Sequence, residues 1–268
     1  MSQLKGYSNP VSPRGAASLV EPTPHHISAE AIQIYFRLDE DVVRSYLPEG
    51  LEPVDGGLSY AYVADMVKVS EHEKDQLFMN PERTQYREGL VGFYCQYKGM
   101  RGRFSAFVWV TQDWSAVFGH LMGWGKKIGQ VTMTKMHTFN PGIGELGPGK
   151  KLRGTVARHG RTILDLGIEL VQREPDDSVP AYGNRAFLYR YFPSTGPEVA
   201  EVRQLLSLQL AGARTVDVWS GKGFVRFGES DNEELLPLEP REIVGAYYFK
   251  RGWTTSHQTD LLIDYNRR

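Results

Sequence analysis

Two adjacent lysines, Lys126 and Lys127, follow a tryptophan in the stretch Gly119-His120-Leu121-Met122-Gly123-Trp124-Gly125-Lys126-Lys127-Ile128-Gly129, which holds four glycines in eleven residues. A lysine attacks a carbonyl carbon only as the neutral amine, and free lysine, with a pKa of about 10.4, is almost wholly protonated at neutral pH. Two influences move that balance. A second ammonium at roughly 6 Å, in an effective dielectric of about 20, disfavours the charge by about 3 kcal/mol, and burial in an apolar pocket acts in the same direction. Both ingredients are at hand, because Phe118, Leu121, Met122, Trp124 and Ile128 surround the pair and no acid occurs between Asp113 and Glu145. Lys150-Lys151 is an internal control: it follows Pro148-Gly149 in a polar turn, where water keeps both amines charged. On residue types alone Lys126-Lys127 is either an activated amine with a neighbour or an ordinary solvated pair.

The elements that must carry the pair can be read around it. Asp113 can cap a helix over Trp114–Met122, with Gly123 at the left-handed position that ends it. The carbonyls at that helix end favour the charged amine by up to ~1 kcal/mol, so desolvation has to dominate if Lys126 is to react. Upstream, Ala31–Phe36 reads as a strand, Asp39 opens a short helix stopped by Pro48, and Leu58–Val69 alternates as a strand does. Leu90–Tyr97 and Phe104–Val110 flank the Gly99–Gly102 turn as a hairpin. Short strand-like runs continue at Val131, Met133, Thr155–Val156, Ile163–Val171, Ala186–Phe192, Val199–Leu210, Val216–Trp219 and Ile243–Phe249, broken by Gly, Pro and Asp. The expected fold is mainly β (α+β), an antiparallel sheet rolled into a barrel or cone with a few short helices. Residues 1–24, with Pro10, Pro13, Pro22 and Pro24, read as an extended arm ahead of one domain over residues 25–268.

Composition removes several function classes. With 31 basic against 32 acidic residues and interspersed signs, there is no electrostatic footprint for nucleic acid or an anionic membrane. One cysteine, Cys95, makes no internal disulfide, and no apolar run approaches a membrane span, which fits a cytoplasmic protein. Gly142-Ile143-Gly144-Glu145-Leu146-Gly147 spells a dinucleotide pattern, but Pro141 and Pro148-Gly149 leave no helix to receive a pyrophosphate. The histidines show only the adjacent His25-His26, without metal-ligand spacing, so no metal site is expected.

Trp-Gly-Lys-Lys-Ile-Gly, preceded by a glycine and a short helix, resembles the aromatic-Pro-Lys-Lys-Leu-Gly signature of the acetoacetate decarboxylase superfamily, in which a lysine is activated by desolvation or a neighbouring cation. The likeness extends to Pro13-Arg14-Gly15, to the segment from Tyr35-Phe36-Arg37-Leu38-Asp39 to Leu47-Pro48-Glu49-Gly50-Leu51-Glu52, and to Val218-Trp219-Ser220-Gly221 with Glu242-Ile243-Val244. The resemblance implies that Lys126 is a Schiff-base lysine, Lys127 its charged neighbour, and Glu88 in Tyr86-Arg87-Glu88 a general acid/base. It also implies a homo-oligomer and no organic cofactor, since the imine is itself the electron sink. The chain departs from the pattern elsewhere: the arginine of authentic decarboxylases falls at Ala29, a second glutamate near Tyr62, the proline before the lysines at Gly125, an Arg-Glu at Gly119-His120, and a Ser-His at Tyr247-Tyr248.

Losing an arginine and an acid while gaining tyrosines suits proton shuttling better than expulsion of a carboxylate. The resemblance therefore implies a lyase that forms an imine with a small 2-oxo acid such as pyruvate, condenses it with an aldehyde and eliminates water. Lys126, Lys127, Glu88 and Tyr248 are the expected catalytic residues, and Tyr86, Tyr247, Trp124, His120, Tyr62 and Met122 the expected substrate-binding ones. The alternatives are a true β-keto acid decarboxylase, its missing arginine replaced by Arg14, Arg83 or Arg87, and a non-catalytic ligand-binding barrel.

Overall fold

A computed structural model describes residues 3–180, 184–196, 200–256 and 258–267. The chain runs through β1 (His25–Arg37), α1 (Glu40–Tyr46), β2 (Glu52–Pro53), β3 (Leu58–Ser70) and α2 (Gln76–Met79). Next come the hairpin strands β4 (Gln85–Tyr97) and β5 (Met100–Val110), α3 (Asp113–Met122), β6 (Lys126–Ile128) and β7 (Gln130–Met133). The remainder is β8 (Lys151–Arg158), β9 (Arg161–Arg173), β10 (Arg185–Pro193), β11 (Ala200–Gln209), β12 (Ala211–Phe227), β13 (Glu242–Thr255) and β14 (Thr259–Asp264). No helix among the described residues is long and apolar enough to cross a membrane.

The mainly β, antiparallel architecture is as expected, and most strands are longer than their apolar runs because polar residues alternate onto solvent. All fourteen strands join one sheet in the order β14-β11-β10-β5-β4-β3-β1-β13-β12-β9-β8-β7, with β2 beside β4 and β6 beside β5. Its path is open at β14 and β7. Two pairings are parallel, β10 with β5 and β6 with β5. The β4–β5 hairpin turns at Lys98 and Gly99, with φ of 47° and 81°, the left-handed pair that suits the twist of its strands.

β1 sits between two apolar layers. Ile32, Ile34 and Phe36 face a core shared with Val156, Leu164, Leu166 and Trp109. The other face presents Ile27, Ala31 and Tyr35 to Tyr60, Met66, Leu90 and Val108, and in this second layer the sheet encloses a cavity. The arm docks on it: Val20, Glu21 and Thr23 are buried, and Glu21 meets Lys68 at 2.6 Å and Gln76 at 3.0 Å. Helix α3 takes in Asp113 as its first residue and not as its cap, a position that falls to Gln112 without a side-chain cap bond. The Asp113 Oδ1 accepts from the Trp114 N–H at 2.6 Å, and the helix ends as expected at Gly123 (φ 107°), whose N–H donates to the Gly119 carbonyl at 2.8 Å. This crossover returns the chain to β5 and sets Lys126 beside Val108.

Candidate active site

Strand alternation decides which side chains meet in the cavity. On β1, Ala29, Ala31 and Gln33 face inward; opposite them on β3 stand Met66, Ala64 and Tyr62. β4 then contributes Tyr86, Glu88 and Leu90, paired with Met66, Ala64 and Tyr62. Lys126 projects from β6, 7% exposed, its amine donating to Glu88 Oε2 at 2.7 Å and to Ser115 Oγ at 3.2 Å. The Tyr62 hydroxyl donates to Glu88 Oε1, so the carboxylate is held on both oxygens. Below the amine lies the Tyr86 ring, its centroid 5.4 Å away. Burial, and after it the Glu88 charge, raises both the Tyr62 and the Tyr86 hydroxyl well above the ordinary tyrosine range, so both stay protonated donors.

The lysine stem passes over a glycine for a steric reason. A Cβ on Gly119 would lie 2.5 Å from Lys126 Cγ and 2.6 Å from Cδ, so any other residue at that position displaces the Lys126 side chain. The Lys126 carbonyl accepts a hydrogen bond from His120 Nε2 at 2.9 Å, tying the short strand to the helix that delivers it. The cavity measures ≈ 100 Å³, room for a small molecule and not for a polymer segment. Trp124, Phe118, Trp253 and Leu210 line its apolar part, and Lys126, Glu88, Tyr62, Ser115 and the guanidiniums of Arg103 and Arg251 its polar part.

Five of the ten expected residues meet here: Lys126, Glu88, Tyr62, Tyr86 and Trp124. The structure does not bring the other five to the cavity lining. Lys127 is a correction: one residue along a strand reverses the side chain, and its amine turns away to Glu233 Oε2 at 2.9 Å and the Asn232 carbonyl at 2.9 Å. Tyr248 is a second, since it pairs with Ile32 and lies in the core on the far face of β1, where burial and then Glu30 raise its hydroxyl. Tyr247 pairs with Gln33 on the cavity side of the sheet and packs edge-on to Tyr35, centroids 5.8 Å apart, without reaching the lining. His120 is exposed and hydrogen-bonds the Lys126 carbonyl, and Met122 is buried with Leu188, Leu206 and Leu208 behind α3.

The arginine expectation also changes. Arg83 pairs with Glu21, Arg87 points to Asp65 and the Val131 carbonyl, and Arg14 is exposed on the arm. Instead Arg251 stands directly across from Ala29 in the β1–β13 ladder, so a guanidinium absent from one strand is supplied by its neighbour. Arg103, Arg251 and Ser115 are the residues that the sequence reading missed. Arg103 stands opposite Tyr94 because the hairpin turns at Lys98–Gly99 and not over Gly99–Gly102 as expected, and Arg251 depended on a pairing between strands at opposite ends of the chain. Among the described residues no cluster of three His, Cys, Asp or Glu side chains could hold a metal.

Comparison with known proteins follows the same lines. No match is found among curated protein sequences. An acetoacetate decarboxylase-like enzyme from Sphingomonas wittichii RW1 superposes with a TM-score of 0.90 at 28% identity, covering 97% of this chain and 100% of its own. The enduracididine biosynthesis enzyme MppR, complexed with the condensation product of pyruvate and imidazole 4-carboxaldehyde, superposes with a TM-score of 0.89 at 26% identity over 99% of both chains. Acetoacetate decarboxylase from Legionella pneumophila shares the fold, with a TM-score of 0.78 at 16% identity over 99% of both chains. The profile of the family Acetoacetate decarboxylase (ADC) matches residues 8–265, and with the buried Lys126–Glu88 pair at the centre of that fold, the chain belongs to the acetoacetate decarboxylase family.

Proposed function

We propose that the protein is a Schiff-base lyase that joins a small 2-oxo acid to an aldehyde and dehydrates the product. The observation that carries this reading is the buried Lys126 amine on Glu88, whose second oxygen is held by Tyr62. Glu88 takes a proton from the Lys126 ammonium, and the neutral amine attacks C2 of the oxo acid. Loss of water from the carbinolamine gives the iminium, which draws the electrons of a C3–H bond as Glu88 removes that proton. The resulting enamine attacks the aldehyde carbon; a proton from Tyr62 or Glu88 quenches the alkoxide. Removal of a second C3 proton then expels the hydroxyl as water, and hydrolysis of the imine frees an unsaturated 2-oxo acid and Lys126. Arg103 and Arg251 are the cationic wall for the carboxylate. MppR, 26–27% identical, binds pyruvate in one structure and a pyruvate–aldehyde condensation product in another, which supports condensation here.

Decarboxylation of a β-keto acid is the second reading, favoured by Arg251 standing opposite Ala29. Borohydride reduction in the presence of pyruvate, read by intact mass and peptide mapping, should place an adduct on Lys126. No adduct, or one that persists in Lys126→Ala, overturns the imine. Turnover of acetoacetate to acetone at enzymatic rates would select decarboxylation over condensation.

A further inference from the structure

The charges around the cavity do not balance. Lys126 is paired with Glu88 at 2.7 Å, and Lys68, the other lysine in the lining, is paired with Glu21 at 2.6 Å. Glu88 is the one carboxylate among the described lining residues, so neither Arg103 nor Arg251 has an acid to neutralise it there. Among the described residues, Arg251 donates to the neutral side-chain amide oxygen of Asn184, at 2.5 Å. Arg103 stands across from Tyr94 in the β4–β5 ladder; burial opposes its charge, while Tyr60, Tyr94, Tyr62 and Tyr35, none of them an acid, favour it. The two guanidiniums also repel each other: burial first, and then Arg103, disfavours the charge on Arg251. Half-buried like charges without counter-ions are costly in the empty protein, and the cost is removed by a ligand that brings the missing charge.

One carboxylate leaves one guanidinium uncompensated. That holds at the iminium stage too, because the iminium keeps the positive charge of the ammonium opposite Glu88. We propose that the cavity is built for a small oxo acid carrying two carboxylates, one taken by Arg103 and the other by Arg251. The oxo group's attachment to Lys126 rests on the Schiff-base reading above; the recognition of two anionic groups does not. The volume of ≈ 100 Å³ sets the class as short oxo dicarboxylates, a few carbons between the acids.

The test separates the two claims. Glutarate and butyrate form no imine, so calorimetric titration of the intact protein with each reads the anion site alone. Glutarate is expected to bind at least about tenfold more tightly than butyrate, the usual effect of one further charge-assisted pair. Arg251→Gln and Arg103→Gln should each bring that ratio to within about twofold, while Arg251→Lys, which keeps a charge, retains part of it. Equal affinities in the wild-type protein, or a glutarate preference that survives both glutamine variants, overturn the proposal. Borohydride trapping with 2-oxoglutarate and with pyruvate is run alongside. A glutarate preference without any adduct removes the imine and upholds the dianion site; an adduct with no preference does the reverse.

Discussion

At the scale of single residues, the surroundings of the Lys126 amine are set by what stands next to it in space and not by its neighbour in sequence. Lys127 has the charge to depress its neighbour's amine but lies on the other face of β6, paired with Glu233. The groups that touch the Lys126 amine are Glu88 and Ser115, from β4 and α3. Gly119 gives the sharpest test of that packing. Helix propensity alone makes Gly119→Ala stabilising by up to about 1 kcal/mol, since the position lies in the interior of α3. The contact of 2.5 Å between the new methyl and Lys126 Cγ argues for the opposite effect on function. We expect Gly119→Ala to fold and to form the borohydride adduct at least about tenfold more slowly, a loss matching an ångström-scale misplacement of the nucleophile. Trapping at the wild-type rate would show that the lysine stem has room to move.

At the scale of elements, the site is mounted on a three-residue strand, too short to hold itself. β6 is fixed by its parallel pairing with Val108–Val110, by His120 on the Lys126 carbonyl, and by the Lys127–Glu233 pair on its outer face. Glu233 is fully buried and also meets Arg158 at 3.2 Å, so it anchors β6 to β8. Glu233→Gln keeps the shape and removes the charge. Its expected outcome is a loss of about 1–3 kcal/mol of stability together with a severalfold slower trapping rate at Lys126. A lowered thermal midpoint with unchanged trapping would mean that Glu233 braces the fold without positioning the nucleophile. Much at this scale was legible in the sequence. Gly123 ends α3 as read, whereas the strand read over Leu90–Tyr97 begins at Gln85, and only that extension carries Tyr86 and Glu88 to one face of β4. Tyr247 and Tyr248 were not legible, since alternation says that they oppose one another but not which of them faces the cavity.

At the scale of the whole molecule, the arm and the sheet are joined at a buried polar knot. Glu21 binds Lys68, Gln76 and Arg83, and its carbonyl accepts from His25 Nε2 at 3.0 Å. His25 is fully buried, and burial together with Lys68 lowers its pKa from 6.5 to about 4. Because the folded pKa lies below the unfolded one, the unfolded chain binds the proton first as the pH falls. The stability that neutral His25 contributes is therefore complete above about pH 6.5 and is lost progressively down to about pH 4, by about 3 kcal/mol. Denaturant titrations should show that decline in the wild-type protein and a flatter one in His25→Gln over the same window; parallel curves would rule out His25 as its source.

The sequence by itself determined most of the elements, because alternation, helix-ending glycines and turns act over a few residues, and its resemblance to a known family pointed to Lys126 and Glu88, which residue types alone left open. Trp124, Tyr62 and Tyr86 belonged to that legible part. Tertiary structure alone decided that Arg251 stands across from Ala29, that Lys127 belongs to Glu233, and that Tyr248 lies in the far core. Each of these depends on the register between strands distant in the chain. One residue of slip in such a ladder sends every side chain to the other face, and local sequence pattern carries no record of that choice.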